Sequence, residues 1–185
     1  MLGGYGNGRS LNDLWALTTQ KPYSWTQIAL HGERSGDDGP PISPRYGMSF
    51  FAADSALVLF GGLSSKPDTF HADFWLITLP DNRNRSEEQS SAIATRLHPR
   101  GEDHITGRYD HATAVIQTPH RTTAIIAGGI TEGGYGTITD DVFSLDLDHC
   151  NWWLLHLLEA VEMIYLIGKN GCREVYELEK GFSMI

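Results

Sequence analysis

The residues best suited to metal chemistry lie in one short segment of the chain. Glu102, Asp103 and His104 are adjacent, and Asp110 and His111 follow shortly after them. Carboxylates and imidazoles together suit zinc or iron, and two such groups on one loop can converge on an ion. A solvated loop also accumulates these residue types without binding an ion. We therefore predict no metal ligand and no cofactor, and we keep a His/Asp metal site as the alternative.

Other catalytic arrangements are missing from the sequence. It contains no Ser-His-Asp elbow and no phosphate-binding glycine loop. Gly133-Gly134-Tyr135-Gly136 follows a predicted buried strand but precedes another predicted strand, whereas a phosphate-binding loop precedes a helix. We predict no catalytic residue, and a binding role is favoured over an enzymatic one.

The composition argues against two classes of partner. Lysine and arginine number 14 against 23 aspartates and glutamates, which gives a net charge of -9. Phosphate binding requires concentrated positive charge, so we predict no nucleic-acid partner. The most apolar stretch, residues 152–167, includes His156, Glu159 and Glu162 and is short for a membrane span, so we predict no membrane partner.

The first residues and the cysteines indicate the cellular compartment of the protein. Residues 1–5 lack the basic start and the apolar stretch of a secretory signal. Cys150 and Cys172 are the only cysteines, and a reduced pair is the simpler interpretation than a disulfide. These observations predict a cytoplasmic protein.

Three stretches of the chain repeat one pattern, and this repeat must position any site. Each has aliphatic or β-branched residues that run into a Gly-Gly pair, then a loop, then an acidic residue and an aromatic one. The glycine pairs are Gly3-Gly4, Gly61-Gly62 and Gly128-Gly129, and the acidic–aromatic segments are Asp13-Leu14-Trp15, Asp73-Phe74-Trp75 and Asp141-Val142-Phe143. A unit repeated in this way cannot bury its apolar face alone, so we predict an array of units.

Each unit has the hydrophobic pattern of strands. Residues 50–53 and 56–60 flank the polar break Asp54-Ser55, which predicts a hairpin, and residues 112–117 and 122–127 repeat this arrangement. A third strand carries the aromatic residue of the repeat, and in the first and third units a fourth carries a tryptophan. Four strands joined by turns form one blade of a β-propeller, so the predicted fold class is all-β.

These features together resemble the kelch repeat over about residues 1–153. Besides the double glycine, the matching segments are Pro44-Arg45-Tyr46-Gly47 and Gly107-Arg108-Tyr109-Asp110-His111, which open the first strands. The resemblance implies kelch-type β-propeller blades in which His111 is structural. It also implies that the glycines allow close backbone packing and that large rings fill the space between blades. The structural residues implied in this way are Gly61, Gly62, Gly128, Gly129, Trp15, Trp25, Trp75 and Trp152.

The spacing of the units predicts an incomplete propeller. About two full four-stranded blades fit the chain, at residues 44–98 and 107–157. A partial first blade occupies residues 1–30, and residues 158–185 form a degenerate partial blade or a C-terminal extension. The terminal strands of such an array expose unpaired backbone groups. We therefore expect the array to need further blades or self-association.

A rigid stack of blades that carries variable loops on one face predicts a protein-binding module. The candidate contacts are Arg45, Tyr46, Arg108 and Tyr109, because arginine and tyrosine dominate binding hot spots. The alternative for the same Arg-Tyr pairs is that they stabilise adjacent blades. Two alternatives to a protein-binding role also stay open, namely a propeller enzyme or metal-binding protein and a non-functional fragment of a longer protein.

Overall fold

The computed structural model describes residues 1–33, 41–53, 55–65, 67–79, 91–101, 105–132 and 136–155. Its regular elements over those residues are all strands, so the predicted all-β fold class is confirmed. No helix in that part of the chain is long and apolar enough to cross a membrane.

The strands fall into three units that follow the sequence repeat. The first unit contains β1 (Leu2–Gly6), β2 (Arg9–Leu17) and β3 (Trp25–Gly32). The second contains β4 (Ser49–Ala53), β5 (Ala56–Phe60), β6 (Leu63–Ser65), β7 (Asp68–Phe70), β8 (Phe74–Thr78) and β9 (Ser91–Leu97). The third contains β10 (Arg108–Tyr109), β11 (Ala112–Thr118), β12 (Arg121–Ala127), β13 (Ile130–Thr131), β14 (Thr137–Ile138), β15 (Val142–Asp146) and β16 (Asn151–Leu155).

The second and third units each form an antiparallel four-stranded blade. The strand orders are β4-β5-β8-β9 and β11-β12-β15-β16, so each strand pairs with the next long strand along the chain. Strand β5 is continuously apolar because it lies inside the blade and has both of its faces covered. Its last three residues, Val58, Leu59 and Phe60, are fully buried.

The blades pack face to face across two hydrophobic clusters. Leu59 points into the cluster shared with the first unit, and the next residue, Phe60, points into the cluster shared with the third. This alternation follows from the two-residue period of a strand. The first cluster contains Leu2, Leu14, Ile42, Leu59, Ile77, Ala92 and Ala94, and the second contains Phe60, Phe74, Ala124, Ile126, Phe143, Leu145 and Trp152.

The outermost strands also connect the units, which the sequence repeat does not indicate. The end of β3 pairs in parallel with the start of β9, from Ala29 opposite Ser91 to Gly32 opposite Ala94. This pairing joins the first two units into one seven-stranded sheet. A parallel bridge between Arg100, just after β9, and Asn151, at the start of β16, continues the pattern toward the third unit. The outer edges of neighbouring units therefore cover part of each other's unpaired backbone.

The first two glycine pairs contact and hydrogen-bond to the backbone of the following unit. The Gly4 amide donates to the Arg45 carbonyl at 2.9 Å, and the Gly62 amide donates to the Arg108 carbonyl at 2.8 Å. Gly61 has φ +70°, and a Cβ atom there would lie 2.6 Å from the Arg108 carbonyl oxygen. The close approach of the two units thus requires glycine at position 61.

We expect Gly61→Ala to lower the free energy of unfolding by at least about 2 kcal/mol, because alanine would be strained at this φ and would collide with backbone. Gly6→Ala is the matched control, since a Cβ atom there meets only the Leu11 side chain at 3.6 Å. It is expected to change stability by less than about 0.5 kcal/mol. Urea unfolding of the two variants checks this, and equal stabilities would contradict the packing role of Gly61.

Candidate functional site

In successive units, connections between the long strands lie together at one end of the blades. At this end β5 and β12 finish in the double glycines, and β8 and β15 begin. The connections between them form the short hairpins β6–β7 and β13–β14, and the Arg-Tyr segments that precede β4 and β11 pair with these hairpins. The tip of the β1–β2 hairpin contributes from the first unit, where Ser10 hydrogen-bonds to Ser65. We call this end of the blades the loop face.

Arg45 is buried beneath the loop face and is fully engaged. Only 1% of its side chain is exposed. The guanidinium donates to both carboxylate oxygens of Asp73, at 2.5 and 3.1 Å, and to the Gly61 carbonyl at 3.1 Å. Burial alone would raise the pKa of Asp73, but the guanidinium and the Trp75 indole N–H hold that pKa below its ordinary value.

Arg108 repeats this arrangement in the third unit. Its side chain is fully buried, donates to Asp141 at 3.1 Å and to the Gly128 carbonyl at 3.0 Å, and lies 4.9 Å from the centre of the Phe143 ring. A guanidinium that is already paired and has no exposed surface cannot contact a partner. The prediction that Arg45 and Arg108 contact a partner is therefore corrected: the two arginines stabilise the blades, which was the alternative.

The tyrosines that follow these arginines have the opposite orientation. In an extended segment consecutive side chains point to opposite sides, so an inward arginine places the next side chain outward. Tyr46 and Tyr109 are both half-buried on the loop face. Tyr46 pairs with Leu63 of its own hairpin, and Tyr109 pairs with Ile130.

These tyrosines belong to a continuous group of four rings, which we call the aromatic row: Tyr5, Tyr46, Tyr109 and Phe70. Neighbouring rings meet edge to face with centroid separations of 5.2 Å for Tyr5 and Tyr46, 6.0 Å for Tyr46 and Tyr109, and 5.7 Å for Tyr109 and Phe70. Tyr5 is the most open, with 59% of its surface exposed. The row therefore spans all three units and gives the loop face a contiguous aromatic surface.

Negative charge flanks the middle of the aromatic row. Burial raises the pKa of Tyr46, and the neighbouring Tyr109, Asp68, Tyr5 and Asp110 raise it further. Asp68 and Asp110 are both exposed. An aromatic surface with carboxylates beside it attracts cations and repels anions.

The amino-acid sequence did not indicate Tyr5, Phe70 or Asp68 as site residues. Tyr5 directly follows Gly4, and Phe70 and Asp68 lie in the hairpin after Gly62, so no shared motif connects them to the Arg-Tyr segments. The only sequence signal for these residues is that each lies in the segment that follows a double glycine. This segment is where a unit reaches the loop face.

The predicted structural residues occupy different environments. Gly61 and Gly62 contact the backbone of the next unit. All four predicted glycines, including Gly128 and Gly129, have positive φ. Trp152 is buried in the second cluster, Trp75 packs against the first, and the Trp15 indole donates to Asp13 at 2.6 Å. Trp25 differs, because 54% of it is exposed at the start of β3. The expectation that its ring fills the space between blades therefore stays a prediction.

The proposed metal alternative is only partly within the described residues. Glu102, Asp103 and His104 lie outside them. Asp110 is exposed on the loop face, whereas His111 is directed between the blades, with Nε2 2.6 Å from the Ser49 hydroxyl. Among the residues that the structure describes, no three His, Cys, Asp or Glu side chains form a group that could hold a metal ion.

His111 is held in a neutral state by its surroundings. Burial lowers the pKa of this imidazole, and the Arg108 charge lowers it further, to about 4. The ring lies edge to face with Phe60 at 5.1 Å, and its Nδ1 atom is buried without a hydrogen-bond partner. His111 therefore contributes packing between the second and third units rather than a charge.

The comparisons with known proteins concern the fold alone. No family model and no curated protein matches the chain. A chain in the cryo-EM structure of RAG in complex with one melted RSS and one unmelted RSS matches with a TM-score of 0.57 and 14% identity, over 86% of this chain and 52% of that chain. The structure of YjhT matches with a TM-score of 0.53 and 15% identity, over 83% of this chain and 49% of that chain. The chain spans about half the length of these two solved chains.

We expect Arg45→Met to lower the free energy of unfolding by about 3–5 kcal/mol, because it leaves the Asp73 carboxylate in a mostly buried position without its guanidinium. Arg96→Met is the control, since Arg96 is exposed on β9 and its replacement should cost less than about 0.5 kcal/mol. Arg45→Met/Asp73→Asn should be less destabilised than the two single losses together. Equal stabilities of Arg45→Met and Arg96→Met in urea unfolding would refute this role.

Acidification is expected to destabilise the protein through His111. The folded pKa of about 4 lies below the ordinary 6.5, so the unfolded chain binds more protons between these values and stability falls as pH decreases through that window. With allowance for partial exposure, the fall between pH 7 and pH 5 should be about 1 kcal/mol smaller in His111→Gln than in the wild type.

The His111→Gln comparison isolates one residue. The pKa of His71 is also lowered by burial and by Arg45, and both proteins retain that contribution. The pKa values of Asp73, Asp141 and Asp146 are lowered from 3.8, so their contribution is lost only at more acidic pH. Parallel pH profiles of the two proteins would show that His111 does not bind the proton.

Proposed function

We propose that this chain is a β-propeller module that binds a protein partner on its loop face. The observation that carries the proposal is the aromatic row, in which Tyr5, Tyr46, Tyr109 and Phe70 form one surface drawn from three units. Tyrosine is enriched at binding hot spots because it supplies a large rigid contact area with a polar end.

The rigidity of the scaffold supports this role. Hydrogen bonds of the buried arginines fix the backbone directly before Tyr46 and Tyr109. The two tyrosines therefore lose little backbone conformational entropy when a partner binds. The hairpins at either side come from connections, where sequence can change without altering the blades. The contacts we propose are therefore the two predicted tyrosines, together with Tyr5 and Phe70.

The kelch resemblance is part of the same proposal. The double glycines, the Arg-Tyr segments and the pairs of a buried arginine with an aspartate recur in successive units, as expected for one repeated structural element. We further propose that other blades, or a second copy of the chain, complete the array in the functional protein. A cytoplasmic location is also a proposal, and it is compatible with the unpaired Cys150.

Partner capture should depend on the aromatic row. Immobilised wild-type protein is compared with Tyr5→Ala/Tyr46→Ala in a pull-down from lysate quantified by mass spectrometry. We expect the double variant to lose a specific partner at least tenfold, since truncation of hot-spot residues costs more than about 1 kcal/mol each.

Tyr23→Ala is the matched control for this capture. Tyr23 is 64% exposed, but it lies in the turn between β2 and β3, at the opposite end of the unit from the loop face. It should retain the partner. Circular dichroism verifies that all three proteins keep their strands. A partner retained equally by the double variant and by Tyr23→Ala would refute the loop-face proposal.

A further inference from the structure

We propose that the aromatic row recognises an arginine side chain in a basic segment of the protein partner. This inference rests on the proposed function and specifies the chemistry of the partner. It is drawn from two observations that coincide at the same place on the loop face: aromatic rings that meet edge to face, and exposed carboxylates beside them.

The ring geometry suits a flat cation. In an edge-to-face arrangement one ring turns its edge to one face of the next. Tyr46 and Tyr109 are only half-buried, so part of each ring stays open to a ligand. The negative face of an aromatic ring attracts a cation within about 6 Å of its centre. A guanidinium is planar and weakly hydrated, so it stacks on such faces more readily than an ammonium does.

The local charge has the sign that a cation requires. Asp68 and Asp110 carry negative charge beside Tyr46 and are exposed, so they remain available to a ligand. Arg45 and Arg108 lie beneath the row, but their charges are compensated by Asp73 and Asp141. The chain as a whole carries -9, which favours encounter with basic segments.

The charges also indicate where along the row the guanidinium binds. Arg9 lies on the same hairpin as Tyr5 and would repel a cation at that end. Asp110 is fixed close to Gly47, because its amide donates to the Gly47 carbonyl at 2.8 Å. We therefore place the guanidinium at Tyr46 and Tyr109, with the carboxylates of Asp68 and Asp110 around it.

The test uses three peptides that differ only in the side chain under study. The first is the acetylated, amidated heptapeptide Gly-Ser-Arg-Ser-Arg-Ser-Gly, the second has citrulline in place of both arginines, and the third has lysine. Citrulline keeps the planar shape and loses the charge. Binding is followed by NMR chemical-shift titration of the full chain. We expect the arginine peptide to bind most tightly, the lysine peptide more weakly, and the citrulline peptide weakest.

Variants locate the binding to the row. Tyr46→Leu removes the ring face and should weaken the arginine peptide between about threefold and thirtyfold. Tyr46→Phe retains the ring and should stay within about twofold of the wild type. Asp68→Asn/Asp110→Asn should also weaken binding severalfold and reduce its dependence on salt. Tyr23→Leu controls for general attraction to an acidic protein and should bind as the wild type does.

The outcomes separate this inference from the proposed function. Equal binding of the arginine and citrulline peptides, equal binding by Tyr46→Leu and Tyr23→Leu, or no binding of the arginine peptide would overturn arginine recognition. Partner capture that still required Tyr5 and Tyr46 would leave the loop-face role in place. Conversely, peptide binding that is lost in Tyr46→Leu, with partner capture unaffected by the tyrosines, would show that the row binds arginine but would refute the proposed function, and with it the assignment of that arginine to the protein partner.

Discussion

The pairing of a buried arginine with an aspartate is the interaction on which the rest of this structure depends. Arg45 connects two units at once: its carbonyl accepts from Gly4 of the first unit, while its guanidinium donates to Gly61 and Asp73 of the second. Arg108 does the same between the second and third units. A buried guanidinium without these partners would be costly, so each arginine imposes the positions of the glycine carbonyl and the carboxylate around it.

This constraint also explains why aromatic rings lie on the loop face. The arginine points inward because its charge must be compensated, and the alternation of an extended chain then directs the next residue outward. Tyr46 and Tyr109 thus occupy equivalent positions in successive units and lie 6.0 Å apart. The same short segment therefore places one buried residue between the strands of the blade and one half-buried ring on the loop face.

The packing between units follows a related principle. Each blade is hydrophobic on both faces, and a blade inside the array buries both of them, as Leu59 and Phe60 do on opposite sides of β5. The parallel pairing of β3 with β9 adds backbone hydrogen bonds at the outer edge. Neighbouring units therefore contact each other in three places. These are the glycine pairs, the apolar clusters and the outer strands.

The sequence alone indicated the long strands of the blades, because strand periodicity, the double glycines and the acidic–aromatic segments are local patterns that recur. It placed β5, β12 and the Arg-Tyr segments correctly for the same reason. The short hairpins β6–β7 and β13–β14 lie where the sequence indicated loops. The tertiary structure decided which side of each Arg-Tyr pair is buried and left Trp25 exposed. It also brought Tyr5 and Asp68 to Tyr46, and Phe70 to Tyr109. These outcomes depend on contacts between residues far apart in the chain, such as Ala29 with Ser91 or Arg45 with Asp73. No local pattern specifies such contacts, because they arise only when distant segments pack together within a unit or between units.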